Sequence, residues 1–155
     1  MLKQVSVLLK TKKHIRAYLL NNFGEQPMID SKHIFHNYLL LCYSHTLTLN
    51  MHEMLKDTVD MKLYITPSDY QRYGCWLNAR QMHFFNTHVD AFMKELLISK
   101  ADSYLDLHHR PVLKDALAYA LDYLKVTEDD WEWDTIVRHY HRSRERRGRP
   151  LLYKK

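Results

Sequence analysis

Thr127-Glu128-Asp129-Asp130-Trp131-Glu132-Trp133-Asp134-Thr135-Ile136-Val137-Arg138-His139-Tyr140-His141-Arg142-Ser143-Arg144-Glu145-Arg146-Arg147-Gly148-Arg149-Pro150 leads into a short tail ending in Lys154 and Lys155. Trp133, Ile136, Val137 and Tyr140 recur at helical spacing, and Thr127 with Asp130 resembles a capping arrangement. The stretch therefore predicts a last helix over 129–146 with a basic tail, 147–155. Acids at a helix start and cations at its end complement the macrodipole by a few tenths of a kcal/mol each. That preference does not call for six arginines in the twelve residues from Arg138 to Arg149. Residues 138–155 hold eight Lys/Arg and one acid, net +7, against +5 for the whole chain, so residues 1–137 carry −2. The excess charge is local, and its density points to a polyanionic partner.

Upstream, a helix over 112–125 has Leu113, Ala116, Leu117, Ala120, Leu121 and Leu124 inward, with Lys125-Val126 as the break. His108-His109-Arg110-Pro111 ends a long helix that starts near Asn78 and reaches Leu105. Phe85, Val89, Phe92 and Leu96, with Met93, give that helix one apolar stripe. It reads as core and leaves a dimer seam open.

The N-terminal part is mixed. Val5, Val7 and Leu9 alternate within 2–10, which predicts a strand. Val59, Met61, Leu63 and Ile65 alternate within 58–66, a second strand that Pro67 ends. The two are expected to pair in a small sheet. Thr11 is read as the cap of a helix starting at Lys12, with Ile15, Tyr18 and Leu19 inward and Gly24 as its stop. Gln26-Pro27-Met28-Ile29 is an extended connection. Ser31 is read as the cap of a helix over 32–43 that turns Ile34, Phe35, Tyr38, Leu39 and Leu41 inward. Residues 44–57 read ambiguously, and Pro67-Ser68-Asp69-Tyr70 opens a helical turn reaching Gly74.

The fold expected is mainly α with a small β element (α+β), its helical C-terminal half ending in the basic helix. The organisation expected is a strand-containing part (1–75), a helical part (76–146) and the basic tail (147–155), packed as one compact domain. The composition, 46% apolar and 26% charged with 3 glycines, is that of a folded helical chain. The two cysteines, Cys42 and Cys75, form neither a disulfide framework nor a zinc spacing. No apolar run reaches membrane-spanning length and no signal-peptide pattern opens the sequence, so a cytoplasmic protein is expected.

The helix pair at 112–125 and 129–146 is similar to a helix-turn-helix unit, whose second helix lies in the major groove. Arg147-Gly148-Arg149-Pro150 resembles the core of an AT-hook, in which the arginines follow the floor of a narrow minor groove. Together they resemble small DNA-binding proteins, a likeness that covers the C-terminal segment alone. It implies a DNA-binding protein, a small transcriptional regulator of a phage or mobile element, with duplex DNA as partner and a homodimer as assembly. Arg138, His139, His141, Arg142, Ser143, Arg144, Arg146, Arg147, Arg149, Lys154 and Lys155 are the candidate contacts. Alternatives are a structural or assembly protein of a virion or mobile-element complex, or an RNA-binding protein that stacks bases on Trp131, Trp133 and Tyr140.

No enzyme is expected. The chain has no P-loop, dinucleotide fingerprint or HExxH motif. His139-Tyr140-His141 is similar to the histidine-hydrophobe-histidine pattern of rolling-circle nucleases, but it falls in a predicted helix rather than a strand. His33 and His36 are spaced as two helical ligands, yet no third ligand accompanies them, so no metal or other cofactor is expected.

Overall fold

The computed structural model describes residues 5–46 and 56–148. The elements run β1 (Val5–Thr11), α1 (Lys13–Phe23), α2 (Ile34–Cys42), β2 (Val59–Ile65), α3 (Pro67–Tyr73), α4 (Ala79–Leu107), α5 (Leu113–Leu124) and α6 (Trp133–Arg146). This is a mainly α protein with a small β element. The chain groups into two units, Met1–Asp90 and Ala91–Lys155. The division falls inside α4, well beyond residue 75, because Phe85, Asn86 and Asp90 serve the core of the first unit.

In the first unit β1 and β2 pair antiparallel, with Val5 opposite Ile65, Val7 opposite Leu63 and Leu9 opposite Met61. Period-two alternation puts those residues on one face, where Val7, Leu9, Met61, Leu63 and Ile65 are buried. Thr11 does not cap a helix. It is the last residue of β1, fully buried, and its hydroxyl donates to Asn86 Oδ1 on α4 at 2.6 Å. Asn86 Nδ2 in turn donates to the Lys10 carbonyl, so a buried amide satisfies two groups at the strand end. One turn along α4, Asp90 pairs with buried His14 at 2.7 Å. The connection at Pro27 is extended, and its carbonyl accepts from Tyr64 N beside β2.

Helix α2 starts later than Ser31 predicts. His33 is its N-cap, and the ring Nδ1 accepts from Phe35 N at 3.2 Å. Phe35, Leu39 and Cys42 face inward, while Ile34 and Leu41 are exposed. Burial holds the His33 pKa below its ordinary value, against the raising effect of Asp30. A cap that must accept has to stay unprotonated, and a folded-state pKa below the unfolded one means that the unfolded chain takes up more protons. The His33 contribution is therefore complete above about pH 6.5 and is lost as pH falls through the lowered value. His33→Ala should cost roughly 1 kcal/mol at pH 7.5, the scale of a lost cap. The gap to wild type should narrow below pH 6, as read by thermal melts across pH.

Asn78 sets the start of α4 with a reciprocal cap: Gln81 N donates to Asn78 Oδ1, and Asn78 N to Gln81 Oε1. In the second unit the buried residues of α4 are Met93, Leu97, Ile98, Ala101, Asp102 and Leu105, while Phe92 and Leu96 of the predicted stripe are only half-buried. Helix α5 buries Ala116, Leu117, Ala120, Leu121 and Leu124. It ends in a Schellman motif, with Lys125 in the left-handed region (φ 56°) and Val126 N bonding to the Leu121 carbonyl. Thr127 and Asp130 do interact: Thr127 N and Oγ1 both donate to Asp130 Oδ2. They close a single turn rather than start the last helix. Trp131 leaves that turn into the core, and α6 begins only after Glu132. The expected break at Lys125-Val126 is thus the longer segment 125–132, compared with about three or four residues in a helix-turn-helix.

Candidate nucleic-acid interface

Helix α6 is built from the inside out. Ile136 and Tyr140 are fully buried and Ser143 nearly so, a spacing of four and three that defines the packed face. Tyr140 Oη donates to Asp102 Oδ1 of α4 at 2.6 Å, and Arg144 Nη1 reaches the same carboxylate oxygen at 3.2 Å and Tyr140 Oη at 2.8 Å. The phenol is raised to about 12 by burial and by its hydrogen bond to Asp102, with Arg144 opposing. Both side chains of the ion pair are mostly buried. Farther along, Arg147 Nη2 meets Glu95 Oε2 at 2.6 Å on the surface.

The register of these contacts fixes direction. Tyr140 and Arg144 meet Asp102, whereas Arg147 meets the earlier Glu95, so α6 runs against α4. Helix α5 also runs against α4, since Tyr119 lies beside Tyr104 and Tyr123 beneath Lys100. The two C-terminal helices lean on a common third helix.

Arg138 and Arg142 are exposed opposite the packed face, and Arg146, exposed as well, continues the row at the same spacing of four towards its flank. Among the described residues no carboxylate pairs with them and no hydrogen bond holds their side chains. His139 and His141, both half-buried, flank this row. The acids Glu132 and Asp134 lie at the opposite end of the helix from Arg146, and Glu145 stands exposed among the arginines of its last turn.

The structure divides the sequence-derived candidates. Arg138, Arg142 and Arg146 come together on the open face. Ser143 is buried, and Arg144 is held by Asp102 and Tyr140. Arg147 is engaged by Glu95. Arg149, Pro150, Lys154 and Lys155 lie outside the described residues, so the structure covers only Arg147 and Gly148 of the AT-hook-like element. Of the rings read as base-stacking, Trp131 and Tyr140 are buried, just before and within α6, and Trp133 is half-buried. Arg144 could not be sorted from its neighbours by charge alone. Its distinguishing signal is its place four residues after Tyr140, on the packed side.

Elsewhere, His33 caps α2 and His36 pairs with Asp69 at 3.2 Å, so the two histidines that share a helical spacing are engaged separately. Among the described residues no group of three or more His, Cys, Asp or Glu is arranged to hold a metal ion. Tyr43 Oη is buried with no hydrogen-bond partner among the described residues, in a crevice lined also by His36, Leu39, Tyr64, Thr66 and Asp69. No described helix is long and apolar enough to cross a membrane.

No protein-family model, curated protein or solved structure matches the chain.

Proposed function

We propose that this protein binds nucleic acid through the exposed arginine face of α6, with duplex DNA as the ligand. One observation carries the reading: Arg138, Arg142 and Arg146 form a row in which none is ion-paired to a carboxylate among the described residues, on a helix whose other face is fixed in a core. Unpaired surface cations repel one another, and a helix that keeps three in a row gains from a polyanion that neutralises them. Three residues at spacings of four span about 12 Å of helix, comparable to three or four phosphates along one strand. The Arg147–Glu95 pair is exposed and worth at most about 1 kcal/mol, so Arg147 can exchange its partner for a phosphate at little cost. Regulation of transcription in a phage or mobile element is the biological role proposed with this chemistry, with a homodimer as the assembly that would read a symmetric site.

The test is a polarisation titration of the full chain against random duplex DNA at a series of salt concentrations. Contact with three phosphates or more gives a log–log slope of roughly −3 or steeper, at about −0.9 per phosphate. Absence of binding at low salt, or binding that salt does not weaken, rejects the reading and turns the basic face into a dock for an acidic protein.

A further inference from the structure

A second site stands in the first unit. Between the end of α3 and the start of α4, a cleft of about 200 Å³ is lined by His45, Tyr70, Gln71, Gly74, Cys75 and Trp76. Two large rings border it while still facing water, Trp76 at 46% and Tyr70 at 44% exposure. Isolated exposed aromatics are ordinary, but here two border one concavity whose surface is otherwise mainly polar.

The backbone of this cleft is preformed. Ser44 and Trp76 exchange both hydrogen bonds of an isolated bridge, each 3.0 Å. Gly74 makes the approach possible: its φ is +81°, and a Cβ there would lie 2.2 Å from the Ser44 carbonyl oxygen. The loop carrying Trp76 is therefore pinned against the end of α2, and a ligand would not have to order it.

The lining holds no carboxylate, lysine or arginine. Burial pushes the Cys75 thiol up, so it is neutral at physiological pH. His45 Nε2 lies 3.2 Å from the Arg72 carbonyl, an acceptor only, so Nε2 donates there and Nδ1 is the ring nitrogen available to a ligand. Gln71 adds an amide with a donor and an acceptor, and it makes no hydrogen bond among the described residues. This set suits neither a phosphate nor a metal ion. It suits a flat, uncharged ring system with donors and acceptors on its edge. The exposed Arg72, its guanidinium over the Tyr73 ring at 5.4 Å, supplies a cation near the cleft.

We infer that this cleft takes one unstacked nucleobase, stacked on Trp76 or Tyr70 and bonded along its edge by Gln71 and His45. Stacking of single bases on exposed aromatics, with edge hydrogen bonds, is how proteins hold unpaired nucleotides. The inference does not depend on the arginine face of α6, because a nucleoside has no phosphate for those arginines to hold.

The experiment follows the Trp76 indole N–H by NMR in the full chain, assigned by its disappearance in Trp76→Phe. Adenosine and uridine are titrated, with ribose and glucose as controls. The expected result is a saturable shift with the nucleosides and none with the sugars. Trp76→Ala should weaken adenosine binding by roughly ten- to a hundredfold, followed by equilibrium dialysis. Trp76→Phe should retain most of it, which separates stacking from loss of fold. The variant R138Q/R142Q/R146Q should bind adenosine as wild type does, whatever happens to its duplex affinity. An indole unmoved by nucleosides overturns the inference. So does one moved equally by ribose or glucose, which would make the cleft a sugar site.

Discussion

Asp102→Ala should lower stability by about 3–5 kcal/mol, the cost of removing one partner from a buried ion pair. The carboxylate accepts from Tyr140 Oη and from Arg144 Nη1 at once, so its loss takes the shared acceptor from a buried phenol and the counter-charge from a mostly buried guanidinium, which keep their bond to each other. For a chain of this size, that is a fall in melting temperature of roughly 10 °C. Tyr140→Phe keeps the ring packing and removes only the hydroxyl, so it should cost about 1–2 kcal/mol. Thermal unfolding of both variants by circular dichroism checks the ordering. If Asp102→Ala costs no more than Tyr140→Phe, the carboxylate is not compensating Arg144. The network also has a pH signature. Tyr140 is held at about 12 in the folded state, above its ordinary 10.0, so the unfolded chain loses this proton first. Its contribution is complete below pH 10 and is lost as pH rises from there towards 12, a loss that Tyr140→Phe should abolish.

The fold was legible wherever a pattern had one solution. The alternations in 5–11 and 59–65 can each bury only one face, and the strands pair as that demands. Gly24, Pro67 and Gly74 end or start helices where backbone freedom or a fixed φ requires it. The phase of α2 was not legible. Ile34-Phe35-His36-Asn37-Tyr38-Leu39-Leu40-Leu41-Cys42 is apolar around most of its circumference, and nothing local says that Leu41 faces water while Cys42 does not. Thr11 and Asp130 misled for a related reason. Each has the chemistry of a cap, but Thr11 finds Asn86 seventy-five residues away, and Asp130 closes a turn that Trp131 takes into the core. Long-range partners and buried anchors leave no trace in local spacing.

The site was half legible for the same reason. Local charge excess located α6, but the order in which its arginines face protein or water depends on Tyr140 being the packed residue. Arg138 and Arg142 are two residues before and after it, hence on the opposite side, and Arg146 falls one turn farther on. Arg144, four residues after Tyr140, turns inward to Asp102.

This geometry sets the largest effect on binding. R138Q/R142Q/R146Q should weaken duplex DNA on the order of a hundredfold at low salt and flatten the salt slope by roughly 3, one unit for each phosphate left without its arginine. Glutamine is a good helix former, and none of the three side chains contributes to the packed face, so the melting temperature should stay within a few degrees. Arg144→Gln is the opposing control. It removes one of the same charges from the same helix, but from the side facing Asp102. It should lower the melting temperature and leave the salt slope of the remaining folded protein nearly unchanged. A net-charge effect alone would make each arginine count equally. A binding face makes the outward three count and Arg144 not, so equal changes in slope per residue removed would reject the α6 face as the place where the polyanion sits.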